Sequence, residues 1–228
     1  MSVVNLSNEN FSEVTDVFCE SFYNYPVMKY VLGEKEDYDE RLRKLITFFV
    51  SARAIRNEPL LGIYNSTNLL LATATVTLPG EISSPPELIK LRDKLWEEIG
   101  AEEKVRYEKY GLIASNLLPK EPHHHLNMIG VRNAYQGKGY ARKLIDEVEK
   151  LVSEHPTSTG LSLNTEVETN VNFYLHFGFQ LNGQAKIDDK LNTWGFFMQR
   201  NKKIRKSFFI IYLVTNNKMM LIENNECV

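Results

Sequence analysis

At 228 residues, with 43% hydrophobic and 25% charged side chains, the chain has the composition of a soluble globular protein long enough to bury a substantial core. A formal net charge of -2 argues against the basic surface that general nucleic-acid binding needs, and no stretch approaches the ~20 apolar residues that span a bilayer. Cys19 and Cys227 match no metal or redox spacing and no basic-then-apolar leader is visible, so the expected setting is a reducing cytoplasm without a membrane partner.

Val3 to Leu6 reads as a short strand. Asn10 with Glu13 resembles a capping arrangement for a helix carrying Phe11, Val14, Val17, Phe18 and Phe22. A second helix is predicted from about Tyr38 to Arg56, with Leu42, Leu45, Ile46, Phe49 and Val50 on one face. Leu60 to Tyr64 and Leu69 to Thr77 flank the polar turn Asn65-Ser66-Thr67-Asn68, which predicts an antiparallel hairpin. Pro85 and Pro86 can then start a helix with Leu88, Leu91, Leu95 and Ile99 as its stripe and Gly100 as its end, and a further helix holds Val105, Tyr107 and Tyr110. This stretch, about 80–122, is too long for an ordinary strand connection and is read as a helical insertion.

His123, His124 and His125 are consecutive in a chain that reads as extended, so they point alternately to opposite faces and no metal site is expected. They open a strand, Leu126 to Val131, followed by Gln136-Gly137-Lys138-Gly139-Tyr140-Ala141 and an amphipathic helix with Leu144, Ile145, Val148, Leu151 and Val152 on one side. By itself this is an ordinary strand-turn-helix connection. Its amides and aligned peptide dipoles would nevertheless suit phosphate oxygens. It is no P-loop, lacking Gly-Lys-Ser or Gly-Lys-Thr at the required spacing, and it lacks the third glycine of a dinucleotide fingerprint. Gly160 to Thr165 predicts a neighbouring strand, Leu191 to Gln199 a final one, and the basic then apolar segment from 201 to 228 an extension for which a homodimer contact is one use.

Two stretches resemble a known family. Gln136 to Ala141 is similar to the Gln/Arg-x-x-Gly-x-Gly/Ala signature of the GCN5-related N-acetyltransferases (GNAT), and Asn170 to Phe179, reading NVNFYLHFGF, resembles their Phe-Tyr-x-x-x-Gly-Phe helix and turn. The resemblance implies an α/β (α+β) fold over residues 1–200: a mostly antiparallel sheet whose two central parallel strands splay apart, flanked by helices. It implies acetyl-CoA as cosubstrate, direct transfer to a primary amine and no metal. The implied cofactor contacts are Ile129, Gly130 and Val131 on the strand and Gln136, Gly137, Lys138, Gly139, Tyr140, Ala141 and Arg142 at the pyrophosphate. The family's asparagine position holds Val167 here, and Asn170, three residues on, is either a cofactor contact or a helix cap.

The same resemblance makes Tyr174 the acid that protonates the departing thiolate, although as a bare residue it is equally an aromatic packed beside Phe173, Phe177 and Phe179. His125 is the candidate base, with His124 and Glu166 as alternatives. Tyr23, Tyr25 and Tyr30 are implied acceptor contacts, with Trp96, Tyr107 and Tyr110 as candidates if the insertion covers the acceptor mouth. Cys19 reads as a core residue rather than an acyl carrier. Two other readings stand beside the enzyme: an acyl-CoA-binding regulatory domain without turnover, and an interaction protein using the insertion and tail.

Overall fold

The computed structural model describes residues 1–80 and 84–200, with the backbone of 213–215 and 218–220. The expected C-terminal extension therefore lies largely outside the described residues; within it, Leu213–Thr215 pairs antiparallel with Lys218–Met220. In chain order the elements are β1 (Val4–Asn5), α1 (Phe11–Phe22), α2 (Pro26–Leu32), α3 (Tyr38–Ile55), β2 (Leu60–Tyr64), β3 (Leu70–Thr77), α4 (Pro86–Ile99) and α5 (Ala101–Ser115). They continue with β4 (His124–Val131), α6 (Tyr140–Glu154), β5 (Gly160–Thr165), α7 (Thr169–His176), β6 (Gln180–Lys186) and β7 (Asn192–Gln199).

Seven strands form one sheet in the order β1-β2-β3-β4-β5-β7-β6, and every pair is antiparallel except β4 with β5. This is the mixed α/β architecture, with one parallel pair at its centre, that the motifs implied. β3, reading LLATATVT, is buried along its whole length because helices cover both faces of the sheet. On one face Val17 and Phe18 of α1, Leu32 of α2 and Leu42, Leu45 and Ile46 of α3 form a core with Met128 of β4. On the other, Leu144, Ile145 and Val148 of α6 pack with Ala72, Ala74, Leu161 and Phe196. The hairpin turn closes on Asn65, whose Oδ1 accepts from the amides of Thr67 and Leu69 at 3.0 and 2.8 Å.

Two elements escaped the sequence reading. Helix α2 is only seven residues long, yet Pro26 opens it, Gly33 at φ +71° closes it, and Val27, Met28, Val31 and Leu32 are buried at helical spacing. Strand β6, QLNGQAK, is an exposed edge with no apolar alternation to betray it. One expected cap is also replaced: the Asn10 side chain does not pair with Glu13 but turns back, its Oδ1 accepting from the Ser7 amide at 3.0 Å around a 3-10 turn, while its Nδ2 donates to the Tyr64 hydroxyl at 3.0 Å.

Helix α5 of the insertion is anchored at both ends. Glu103 on α5, 3% exposed, receives Lys35 at 2.8 Å and Arg41 and Arg106 at 3.1 Å, which ties α5 to the segment before α3 and to α3 itself. At the other end Asn164 Nδ2 donates to Ala114 O at 3.3 Å, and Leu117 lies over Gly195 of β7, where a Cβ would strike its backbone oxygen at 2.9 Å. Helix α5 is thereby held across the sheet where β4 and β5 run side by side.

Candidate active site

β4 and β5 pair only at His124 with Leu161 and His125 with Ser162, and beyond those residues they part. The divergence begins where β4 carries a bulge: its register with β3 shifts between Thr75, opposite Met128, and Val76, opposite Leu126, leaving Asn127 as the extra residue. Farther along, the Arg132 amide donates to Leu71 O at 2.9 Å. Alternation along an antiparallel ladder then turns the N–H and C=O of Gly130 toward β3 and those of Ile129 and Val131 into the gap. Gly130 has its own steric reason to be glycine, since a Cβ there would meet Ser21 Oγ and sit 3.0 Å from Phe18 Cδ1 of α1.

The turn that follows is held by α1. Glu20 accepts the Asn133 amide at 2.7 Å and an Arg132 guanidinium nitrogen at 2.8 Å, while Gln136 Nε2 reaches back to Val131 O at 3.2 Å. Gly137 and Gly139 take φ of +72° and +79°, the left-handed region that L side chains rarely adopt, and nothing lies within 4 Å of where their Cβ atoms would be. Conformation, with open space outside, therefore demands glycine at both. The α6 ladder begins with Lys143 N–H on Gly139 O at 3.2 Å, so the amides of Tyr140, Ala141 and Arg142 precede its first bond. Arg142 binds Asp146 at 2.7 Å and lies 5.0 Å from the Phe177 ring centre; Lys138 Nζ reaches Ala134 O at 3.2 Å.

On the α1–α3 side the gap opens into a cavity of about 310 Å³. Its wall combines Phe22 at the end of α1 and Tyr25 after it, Phe49 and Arg53 on α3, Tyr107 and Tyr110 on α5, and His125 and Asn127 on β4. Ile129, Asn170 and Tyr174 line the same space, although Ile129 and Tyr174 belong to the core on the opposite face. The cavity thus reaches into the gap between β4 and β5, where residues of both cores meet. At its edge stands Glu166, 7% exposed, whose Oε1 accepts from Tyr110 at 2.9 Å and from Thr193 at 2.7 Å. Burial pushes this carboxyl above its ordinary value, against the downward pull of those two hydrogen bonds.

Residues 91–196 match the family model of the acetyltransferase (GNAT) domain. Over those residues the chain is similar to a GNAT acetyltransferase domain. Solved structures share the fold. A protein described as histone acetyltransferase HPA2 and related acetyltransferase, from Corynebacterium glutamicum, superposes at TM-score 0.65 with 16% identity, covering 89% of this chain and 98% of that one. Arylalkylamine N-acetyltransferase 2 from Aedes aegypti gives 0.57 at 14%, covering 86% and 96%. The PaiA N-acetyltransferase of Thermoplasma acidophilum, solved with coenzyme A, gives 0.50 at 15%, covering 86% and 98%. No curated protein sequence matches the chain.

Within the GNAT frame the candidate residues separate. Tyr25, Tyr107 and Tyr110 line the cavity, whereas Trp96 is buried against Tyr107 with ring centres 5.2 Å apart. Tyr23 lies outside the cavity wall, edge-on to Tyr38 at 5.4 Å, and Tyr30 packs on the α1–α3 core. Cys19 is half-buried against that same core, and burial raises its thiol, so it is no exposed acyl carrier. Among the described residues no group of three or more His, Cys, Asp or Glu side chains could hold a metal ion.

Asn170 does not cap α7: it sits inside the first turn, and its Nδ2 donates to Thr165 Oγ1 at 3.2 Å. His124 is buried on the side away from the cavity, bound to Ser158 Oγ at 2.8 Å, with burial lowering its pKa to about 4. His125 faces the cavity with Nδ1 on Ser162 Oγ at 2.8 Å, and burial lowers it to about 3. Burial and then the charge of Glu166 raise the Tyr174 phenol, so it remains protonated at neutral pH. Arg53 and Asn127, which bond each other at 3.1 Å, were not singled out in the sequence because one lies late on a helix and the other on an unannounced bulge.

Proposed function

We propose that the protein is an N-acetyltransferase that moves the acetyl group of acetyl-CoA directly to a primary amine. The observation that carries this reading is the gap between β4 and β5: β4 runs on past it into the glycine turn, and the cavity lined by Glu166 and Tyr174 opens beside it.

Acetyl-CoA would supply the thioester acetyl group and carry away the thiol. The amides of Gly137 to Arg142 would receive its pyrophosphate, a reading supported by the start of the α6 ladder only at Lys143; each bond to a charged oxygen would contribute roughly 1.5–3 kcal/mol, against about 0.3–1 kcal/mol from the helix dipole. The outward backbone groups of Ile129 and Val131 offer hydrogen bonds to the amides of its arm, and Asn170 borders the same opening. The coenzyme A held by the PaiA fold relative supports the choice of cosubstrate.

A primary amine with a pKa near 10.4 is neutral in fewer than about one molecule in a thousand at pH 7, so a base is needed. Glu166 suits this better than His125. Burial makes the carboxylate more basic and the imidazole less so. In this reading Glu166 takes one proton from the ammonium, the freed amine nitrogen bonds the acetyl carbon, the carbon–sulfur bond breaks, the Tyr174 proton goes to sulfur, and the second amine proton restores the Tyr174 phenol. His125 serves as a neutral wall group. Holding the amine against the thioester supplies up to roughly 7–11 kcal/mol of the barrier reduction.

Titrating acetyl-CoA into the protein by calorimetry, then following thiol release with an amine panel, tests the reading. Binding and amine-dependent release are expected. Binding with no release on any amine would favour a regulatory acyl-CoA-binding domain, and no binding would remove the proposal's main support.

A further inference from the structure

Resting on that acetyltransferase reading, we infer the acceptor class: a small primary amine with an apolar, ring-bearing body that enters past Gly111 and sets its ammonium against Glu166. The chamber is closed by α2, α3, α5 and the sheet, and its volume of about 310 Å³ lies at the small end for ligand sites. Six of its side chains are aromatic: Phe22, Tyr25, Phe49, Tyr107, Tyr110 and Tyr174. Rings surrounded by ring edges and faces favour another ring, and the quadrupoles of the faces also attract an ammonium.

Charge is distributed unevenly in the chamber. Arg53 is matched by Glu58 at 2.9 Å and held by Asn127 at 3.1 Å, so it brings little net charge. His125 is neutral at pH 7. Glu166 receives hydrogen bonds but is paired with no cation among the described residues. A buried carboxylate without a counter-ion is costly, and an ammonium arriving beside it relieves that cost. A polyamine would have to bury further charges where no second unpaired carboxylate waits. A peptide would need an open groove where α5 stands.

The opening has a sequence marker. Gly111 lies in the middle of α5, lines the cavity and is exposed, and a Cβ there would meet nothing within 4 Å. Mid-helix glycine is disfavoured, and here neither a positive φ nor a tight neighbour requires it. Its effect is to leave the wall low at that point.

The test compares 2-phenylethylamine, spermidine and an N-terminally blocked peptide with one lysine, by thiol release from acetyl-CoA and by calorimetry of each amine. Expected is a kcat/KM at least tenfold higher for 2-phenylethylamine than for the other two. Gly111→Trp should lower that value at least tenfold while the KM for acetyl-CoA holds, and Gly111→Ala should not. If spermidine or the peptide is preferred, the acceptor class is overturned and acetyl transfer stands. If no amine is turned over but 2-phenylethylamine binds and Glu166→Gln abolishes its binding, the amine site stands and acetyl transfer falls. If 2-phenylethylamine is neither bound nor turned over, the inference is wrong.

Discussion

Tyr110 and Glu166, 56 residues apart in sequence, meet in the wall of the cavity, the phenol donating to the carboxylate at 2.9 Å. This bond joins the helix that roofs the chamber to the end of the strand beneath it. Burial and the neighbouring carboxylate push Tyr110 well above its ordinary value, and burial pushes Glu166 up although the bond from Tyr110 pulls it down.

Replacing Glu166 by Gln keeps a hydrogen-bond acceptor for Tyr110 and Thr193 but removes the base. Turnover should fall by about 10² to 10⁴. Wild-type activity should drop as the pH falls through the raised value of Glu166, above the ordinary 4.5, and this acid limb should vanish in the variant. Unfolding at pH 7 should be unchanged or slightly harder, because a charge disfavoured by burial is gone. A variant with normal turnover would remove Glu166 from the mechanism.

Tyr174→Phe deletes one hydroxyl inside a cluster with Phe173, Phe179 and Phe196 and leaves those ring contacts in place. Acetyl-CoA affinity should be retained and turnover reduced by up to about 10² to 10⁴. Unchanged turnover in a chemistry-limited assay would reduce Tyr174 to a packing residue.

Gly139→Glu places a carboxylate where the cofactor's pyrophosphate is proposed to sit. Losing even one amide bond to a charged oxygen, about 1.5–3 kcal/mol, should weaken acetyl-CoA binding by at least about tenfold in calorimetry. Because φ is +79° there, Gly139→Ala is the control for backbone strain. Equal losses in both variants would assign the effect to the turn's shape rather than to charge.

His124 and His125 make stability depend on acidity. Their folded values of about 4 and about 3 lie below the ordinary 6.5, so below that pH the unfolded chain takes protons that the folded one refuses. Their contribution is complete above pH 6.5 and is lost as the pH falls toward 4 and then 3, at up to about 1.4 kcal/mol per pH unit for each. Glu166, shifted upward, opposes this in part. Urea midpoints at pH 7, 6 and 5 should fall steadily, and His125→Gln should flatten the trend; a flat wild-type profile would contradict the burial of both rings.

Much of the scaffold was legible because its signals are local. The helical spacing of Leu144, Ile145, Val148 and Val152 describes one face of α6, and all four are buried. Gly137 and Gly139 announced a turn that only glycine readily makes, and Pro86 and Gly100 marked the ends of α4. β6 stayed hidden because none of its residues is fully buried, so neither face of this edge strand calls for apolar side chains and there is no alternation to display. The two motifs, separated by a fixed distance, sufficed for the family because each encodes a piece of backbone geometry.

The chamber was decided by tertiary structure alone. Tyr25, Arg53, Tyr110, Asn127 and Glu166 come from five separate segments, and nothing in the spacing of any one of them refers to the others. Their convergence depends on the brief β4–β5 pairing, the bulge at Asn127 and the seating of α5 by Glu103. Local sequence prescribes dihedral angles and which face is apolar. Which faces then meet, and how burial alters the acidity of the groups between them, is a property of long-range packing.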